Sequence, residues 1–228
     1  TWRYRDYVIR SFNEDKPYDE FVIEQLAADE IAPNDPDKVI ATAFLRLGIY
    51  EWNQRNARMQ WDLIMTEMTN VTGEVFLGIG IGCAQCHDHK FDPILQKDYF
   101  ALQAFLNSTW WPENAVLAND AERSEHNNKQ SEWDRATAEI RRGLSEIKQP
   151  KLDADFNYTV MQFPEDIQEI YRKPNQMRTA YEKQLAQMVQ RQIDKKESKI
   201  DWEKELAKKK NGQLAQFEKL TKELAAFN

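Results

Sequence analysis

Cysteine, histidine and glycine are all scarce in this chain: two, three and seven copies in 228 residues. Two cysteines are too few for an iron–sulfur cluster, which normally takes four thiolates. Glycine is thin throughout, and no Gly-rich phosphate loop, nucleophile elbow or internal repeat occurs. No run of about eighteen apolar residues is present, so no membrane-spanning helix is encoded. A cationic face is missing too. The formal charge is −7 and the isoelectric point about 5.2, which argues against a nucleic-acid groove, because phosphate contacts need clustered Lys and Arg. The one dense basic run, Lys208 to Lys210, is flanked by acids and reads as a solvated helix face. The opening residues "TWRYRDYVIR" lack the apolar stretch of a signal peptide. The expectation is a cytoplasmic protein, or a mature or excised piece of an exported one.

What is there suits a helical protein. Hydrophobic residues make up 41% of the chain and aromatics 11%, enough for a packed core, and apolar residues recur at spacings of three and four rather than two. The fold expected is all-α. Trp2 to Phe12 reads as a first helix and "KPYDEFVIEQLAADE" as a second, with Phe21, Ile23, Leu26 and Ala27 as burial candidates. In "NDPDKVIATAFLRLG", Asp35 can cap, Pro36 suits the first turn and Gly48 can end the helix. "FDPILQKDYFALQAFL" repeats the device, with Asp92 as cap, Pro93 at the first position, and Ile94, Leu95, Phe100, Leu102 and Phe105 as core candidates. After "STWWPEN" the composition turns to Glu, Lys, Gln and Arg. Two parts are therefore expected, a helical domain over 1–113 and a polar extension over 114–228 made of long helices. In the extension, Leu214, Phe217, Leu220, Leu224 and Phe227 form a stripe that calls for a partner helix, in this chain or in a second copy, with "KKKNG" as the turn of a helical hairpin.

Both cysteines and two of the histidines fall within "GCAQCHDHKFDP", Gly82 to Pro93. Cys83-Ala84-Gln85-Cys86-His87 is C-x-x-C-H, the spacing at which two thiols add to the two vinyl groups of a haem and the next histidine ligates its iron. Three other chemistries share these residue types. A structural zinc could take Cys83, Cys86, His87 and His89, although zinc sites usually draw ligands from two separated elements. An iron–sulfur cluster lacks cysteines, and a thioredoxin-like pair expects a βαβ context. The spacing favours one covalently attached haem c, with His87 as the proximal iron ligand.

The stretches "WRYRDYVIRSFNEDKPYDEFVIEQLAADE", "IATAFLRLG", "VTGEVFLGIGIGCAQCHDHKFDPILQKDYFALQAFL" and "FPEDIQEIYRKPNQMRTAYEKQ" resemble, in that order, a planctomycete-specific cytochrome c-like family of undefined function. The resemblance runs from Trp2 to Gln184, and "CAQCHDHKFDPI" is its most specific block. The chain departs from the family's pattern at Ala28, where "QLAGD" is usual, and at Glu67, a single acid where a pair is expected. The resemblance implies Cys83, Cys86 and His87 as the haem attachment site. It also implies a piece of a larger exported protein, standing beside further domains. Haem is attached to C-x-x-C-H outside the cytoplasmic membrane, so the expected location is periplasmic or extracellular.

What occupies the sixth position of the iron decides function: two strong ligands favour electron transfer, and an open position permits small-molecule chemistry. The distal candidates are Met68, on a helix upstream of the motif, and His126, in the polar stretch "RSEHNNKQ". His89 stands too close to His87 to reach the opposite face of the ring. It reads either as a group supporting the site, bonding a propionate with Lys90, or as a turn residue before the next helix. Trp52, Trp61, Trp110 and Trp111 are candidate walls of a haem pocket or plain core. The expected function is a monohaem electron-transfer module acting with a redox partner protein or attached domain. The alternatives are a haem-bearing catalytic or sensing domain of an extracellular enzyme, or a helical scaffold with a structural haem.

Overall fold

A computed structural model describes residues 2–51, 55–112, 117–118, 120–209 and 212–227. The described residues contain no strand, and the fold is all-α. No described helix is long and apolar enough to cross a membrane. The chain forms two compact units, one of Thr1–Asn119 with Lys173–Leu185 and the other of Asp120–Arg172 with Ala186–Asn228.

The first unit begins with α1 (Trp2–Asn13) and α2 (Tyr18–Ile31). Helix α1 ends in a Schellman motif: the Lys16 amide donates to Ser11 O at 2.9 Å and the Asp15 amide to Phe12 O at 3.3 Å. Asp15 takes the left-handed position that glycine usually fills, at φ 52°. This turn aims Lys16 back at α2, where it meets Glu24. The inward residues of α2 are Glu24, Gln25 and Ala28 rather than the apolar set expected, and Ile23 is exposed. The reason is a buried polar cluster. Tyr7 donates to Glu24 Oε2 at 2.8 Å, Lys16 pairs with the same oxygen, Lys38 Nζ lies 3.1 Å from Oε1, and Tyr4 donates to Gln25. Helix α2 also breaks helical geometry at Ala27 (φ −149°), which rotates its last turn relative to the rest and spoils a single apolar stripe.

Asp35 caps α3 (Pro36–Val39) as expected, accepting from the amides of Asp37 at 3.1 Å and Lys38 at 3.3 Å. The expected helix does not run on to Gly48 in α form. It tightens into a 3₁₀ helix over Ile40–Arg46, where Thr42 bonds back to Val39 O at 2.8 Å. Helix α4 (Ala57–Leu77) starts on Asn56, whose side chain accepts from the Met59 amide, and stops at Gly78, which adopts the left-handed φ of 68°. Its buried residues include Trp61, Ile64, Met65 and Met68. Trp61 packs edge-on against Trp111 at 5.3 Å and donates to Asn107. Of the adjacent tryptophans, Trp111 is 8% exposed and Trp110 44%, the in–out split that neighbours in an extended segment must adopt. Trp61 and Trp111 are thus core, while Trp52 lies outside the described residues.

The second unit is built on α6 (Asp120–Val160), 41 residues long with Pro150 inside it. Side-chain pairs four apart, Glu125–Lys129 and Lys151–Asp155 among them, support it at a few tenths of a kcal/mol each. Leu144 and Ile147 of α6 pack with Leu206 of α9 (Trp202–Ala207) and Phe217 of α10 (Gln213–Ala225). Leu214, Leu220 and Leu224 flank this cluster, so the α10 stripe finds its partner helix within the chain; Phe227 at its end is exposed. The unit is completed by α7 (Glu165–Arg172) and by the later residues of α8 (Ala180–Glu197), where Lys196 pairs with Asp155 of α6 at 3.1 Å.

Candidate functional site

The C-x-x-C-H segment starts within a 3₁₀ helix, Ile81–Gln85, between α4 and α5 (Gln96–Leu106); Cys83 lies in the helix, Cys86 is its C-cap and His87 follows in the turn beyond. Its seat is made by Gly73 on α4, where an added Cβ would stand 2.5 Å from Ile81 Cδ1, so only glycine lets Ile81 approach this closely. Ile81 and Ala84 are buried against Tyr99 of α5, with Ile79, Ile94 and Leu102 around them. In a helix of three residues per turn, side chains three apart eclipse. Ile81 and Ala84, three apart, both turn inward, while Cys83 and Cys86 are free and exposed. Burial holds the Tyr99 phenol above its ordinary range.

His87 is exposed, and its Nδ1 lies 2.7 Å from the carbonyl oxygen of Asp88. A carbonyl only accepts, so Nδ1 carries the proton and Nε2 keeps the lone pair, the tautomer a metal ligand needs. The Asp88 carboxylate accepts from the Gln96 amide at 2.8 Å, and the Gln96 side chain returns to Gln85 O at 3.1 Å. The loop is therefore tied to the start of α5 on both sides of His87.

His89 is held differently. Its side chain is 9% exposed, and Nδ1 accepts from the amides of Asp92 at 2.9 Å and Phe91 at 3.3 Å. The His89 amide donates to Ile94 O at 2.8 Å. Two amides are aimed at Nδ1, and the Asp92 carboxylate oxygen Oδ2 lies 3.2 Å from the same atom. His89 is thus the residue around which the turn 89–94 closes. Asp92 does not cap a helix, and Pro93 does not begin one. The Ile94 amide donates to Asp92 O at 2.8 Å, a three-residue turn with Pro93 at its centre, whose ring restricts φ to the range such a turn requires. Helix α5 starts at Gln96, with Asp98 bonding back to the Leu95 amide at 2.9 Å. Its buried residues are Tyr99 and Leu106, while Leu95, Phe100 and Phe105 are exposed; the later start shifts which face of the helix turns inward.

Other candidates lie elsewhere. The motif meets α4 at Gly73 and at Asn70, whose amide oxygen would be 3.3 Å from a Cβ on Gly82. Counting about 100° per residue, Met68 is roughly 150° around the helix from these two positions. It lines an apolar cavity with Phe44, Ile64 and Trp111 instead. His126 is exposed on α6, in the second unit. Among the described residues no three His, Cys, Asp or Glu side chains converge as metal ligands. Asn70 carried no signal in the sequence. Its Oδ1 is buried beside the motif and accepts no hydrogen bond among the described residues.

Residues 1–110 match the model of a family described as PSCyt2, protein of unknown function (DUF1549). No curated protein and no solved structure matches the chain. The matched residues take in α1 to α5 and the whole of the Cys/His segment. The match is consistent with the resemblance to a planctomycete-type family of undefined function.

Proposed function

We propose that the chain is a c-type haem protein, a monohaem electron-transfer module of a larger exported protein, with one haem held through Cys83, Cys86 and His87. The observation that carries the reading is the presentation of these three residues: two free and exposed thiols, followed by a histidine whose Nε2 lone pair is available. The donor set fits the group, since the packing of Ile81 and Ala84 keeps both sulfurs clear of the core and the bond to Asp88 O fixes the imidazole's tautomer. Phe91, shortly after the motif in sequence, is 84% exposed and leaves an apolar ring open to solvent. A haem bound here would supply a one-electron couple at its iron. His89 holds the turn that carries Phe91 and Asp92, and its Nδ1 is occupied by their amides, so it is a positioning residue rather than a ligand. The reading places the protein in the periplasm or outside the cell, with a redox protein or attached domain as partner.

The test is expression with a haem-attachment system. The purified protein should gain the mass of one haem that survives denaturation, and Cys83→Ala with Cys86→Ala should abolish the gain. Native protein carrying zinc and no haem would overturn the assignment.

A further inference from the structure

On the side of α4 away from the cysteines, a cavity of about 130 Å³ is lined by Phe44, Leu47, Ile64, Met68, Val71 and Trp111. That is close to the ~150 Å³ of an apolar cavity that accepts a benzene ring. One charged group shares its wall, Glu67. The Glu67 side chain is half-exposed. Among the described residues, Glu67 receives a single hydrogen bond, from the Ile49 amide to Oε2, and at 3.4 Å it is long. Glycine at position 48 makes room for the carboxylate, since a Cβ there would stand 3.2 Å from Oε2. The nearby Arg46 guanidinium lies 5.8 Å over the Trp111 ring and donates to Pro112 O at 3.0 Å. The site thus combines an apolar pocket of one-ring size that opens to solvent at Leu47 and Val71, two aromatic side chains and a half-exposed carboxylate that accepts one long hydrogen bond among the described residues.

We infer that this cavity binds a small amphipathic amine, with an aromatic or branched apolar tail among Ile64, Met68, Val71 and Trp111 and its ammonium group on Glu67. The inference is independent of the haem reading. Phenethylammonium is the probe and neutral phenethyl alcohol its control, followed by the methyl resonance of carbon-labelled Met68, which Met68→Leu assigns. Phenethylammonium should shift that resonance saturably. Glu67→Gln should weaken its binding about tenfold, the scale of one charge-assisted hydrogen bond, while leaving phenethyl alcohol unaffected. Val71→Phe, which fills the cavity from its half-exposed wall, should abolish binding of both. No shift of the Met68 methyl with phenethylammonium, equal affinity in Glu67→Gln, or undiminished binding to Val71→Phe would each overturn the assignment.

Discussion

Replacing Glu24 by Gln removes one negative charge from the centre of the α1–α2–α3 corner and changes little else in volume. Glu24 is 1% exposed, and the Lys16 side chain that pairs with it 18%. The Lys38 side chain is 39% exposed, so its share of the pairing is discounted to a few tenths of a kcal/mol. Breaking a buried pair by deleting one partner costs about 3–5 kcal/mol. Gln keeps an oxygen for the Tyr7 hydroxyl, so the loss expected for Glu24→Gln is about 2–3 kcal/mol, and for Glu24→Ala about 4 kcal/mol. At roughly 4 °C per kcal/mol for a unit of this size, Glu24→Gln should lower Tm by ~10 °C at neutral pH. Burial by itself would push the Glu24 carboxyl up, but hydrogen bonds from Lys16, Lys38 and Tyr7 outweigh it and hold the group below its ordinary range. A depressed folded pKa means that the stabilisation is fully present above the unfolded value of about 4.3 and is lost as pH falls through the folded one. Thermal melts by circular dichroism should therefore show the gap between wild type and Glu24→Gln at full size at neutral pH and closing below about pH 4. A variant as stable as wild type at neutral pH, or a gap unchanged in acid, would refute the reasoning.

Gly73→Ala should displace Ile81 and cost about 1–3 kcal/mol, because the new Cβ falls within 2.9 Å of three Ile81 carbons; adding Ile81→Ala should recover part of the loss in urea titrations. His89→Ala should cost about 1–2 kcal/mol through the two amides it leaves unpaired. In the haem-bearing protein the same change should leave the spin state seen by electronic absorption as it was, whereas His87→Ala should alter it. Met68→Leu, a volume-conserving swap on the far side of α4, should cost less than about 1.5 kcal/mol and leave that spectrum unchanged.

Local signals with a single physical cause were legible in the sequence. Asp35 followed by Pro36 does cap a helix, and the α10 stripe does find a partner. The spacing of Cys83 and Cys86 also named the segment where the geometry is specific. The same cap-and-proline pattern at Asp92-Pro93 gives a tight turn instead, because His89 is near enough to take the amides that a helix would have used. The inward face of α2 was hidden because its partners, Tyr7, Lys16 and Lys38, come from three other stretches of chain. Periodicity registers apolar residues, and this face is polar. Met68 was nearest the motif in sequence, yet its place depends on which turn of α4 the 3₁₀ segment leans against. Gly73 and Ile81 decide that, and neither stood out alone.

The shared period of Ile81–Ala84 and Cys83–Cys86 sets how the segment tolerates changes of length. One residue inserted between the cysteines would turn the second thiol by about 120°, off the solvent side and toward the packing around Tyr99. A deletion would turn it the other way. The two-residue gap thus matches the inward period of Ile81 and Ala84, and it leaves both thiols exposed.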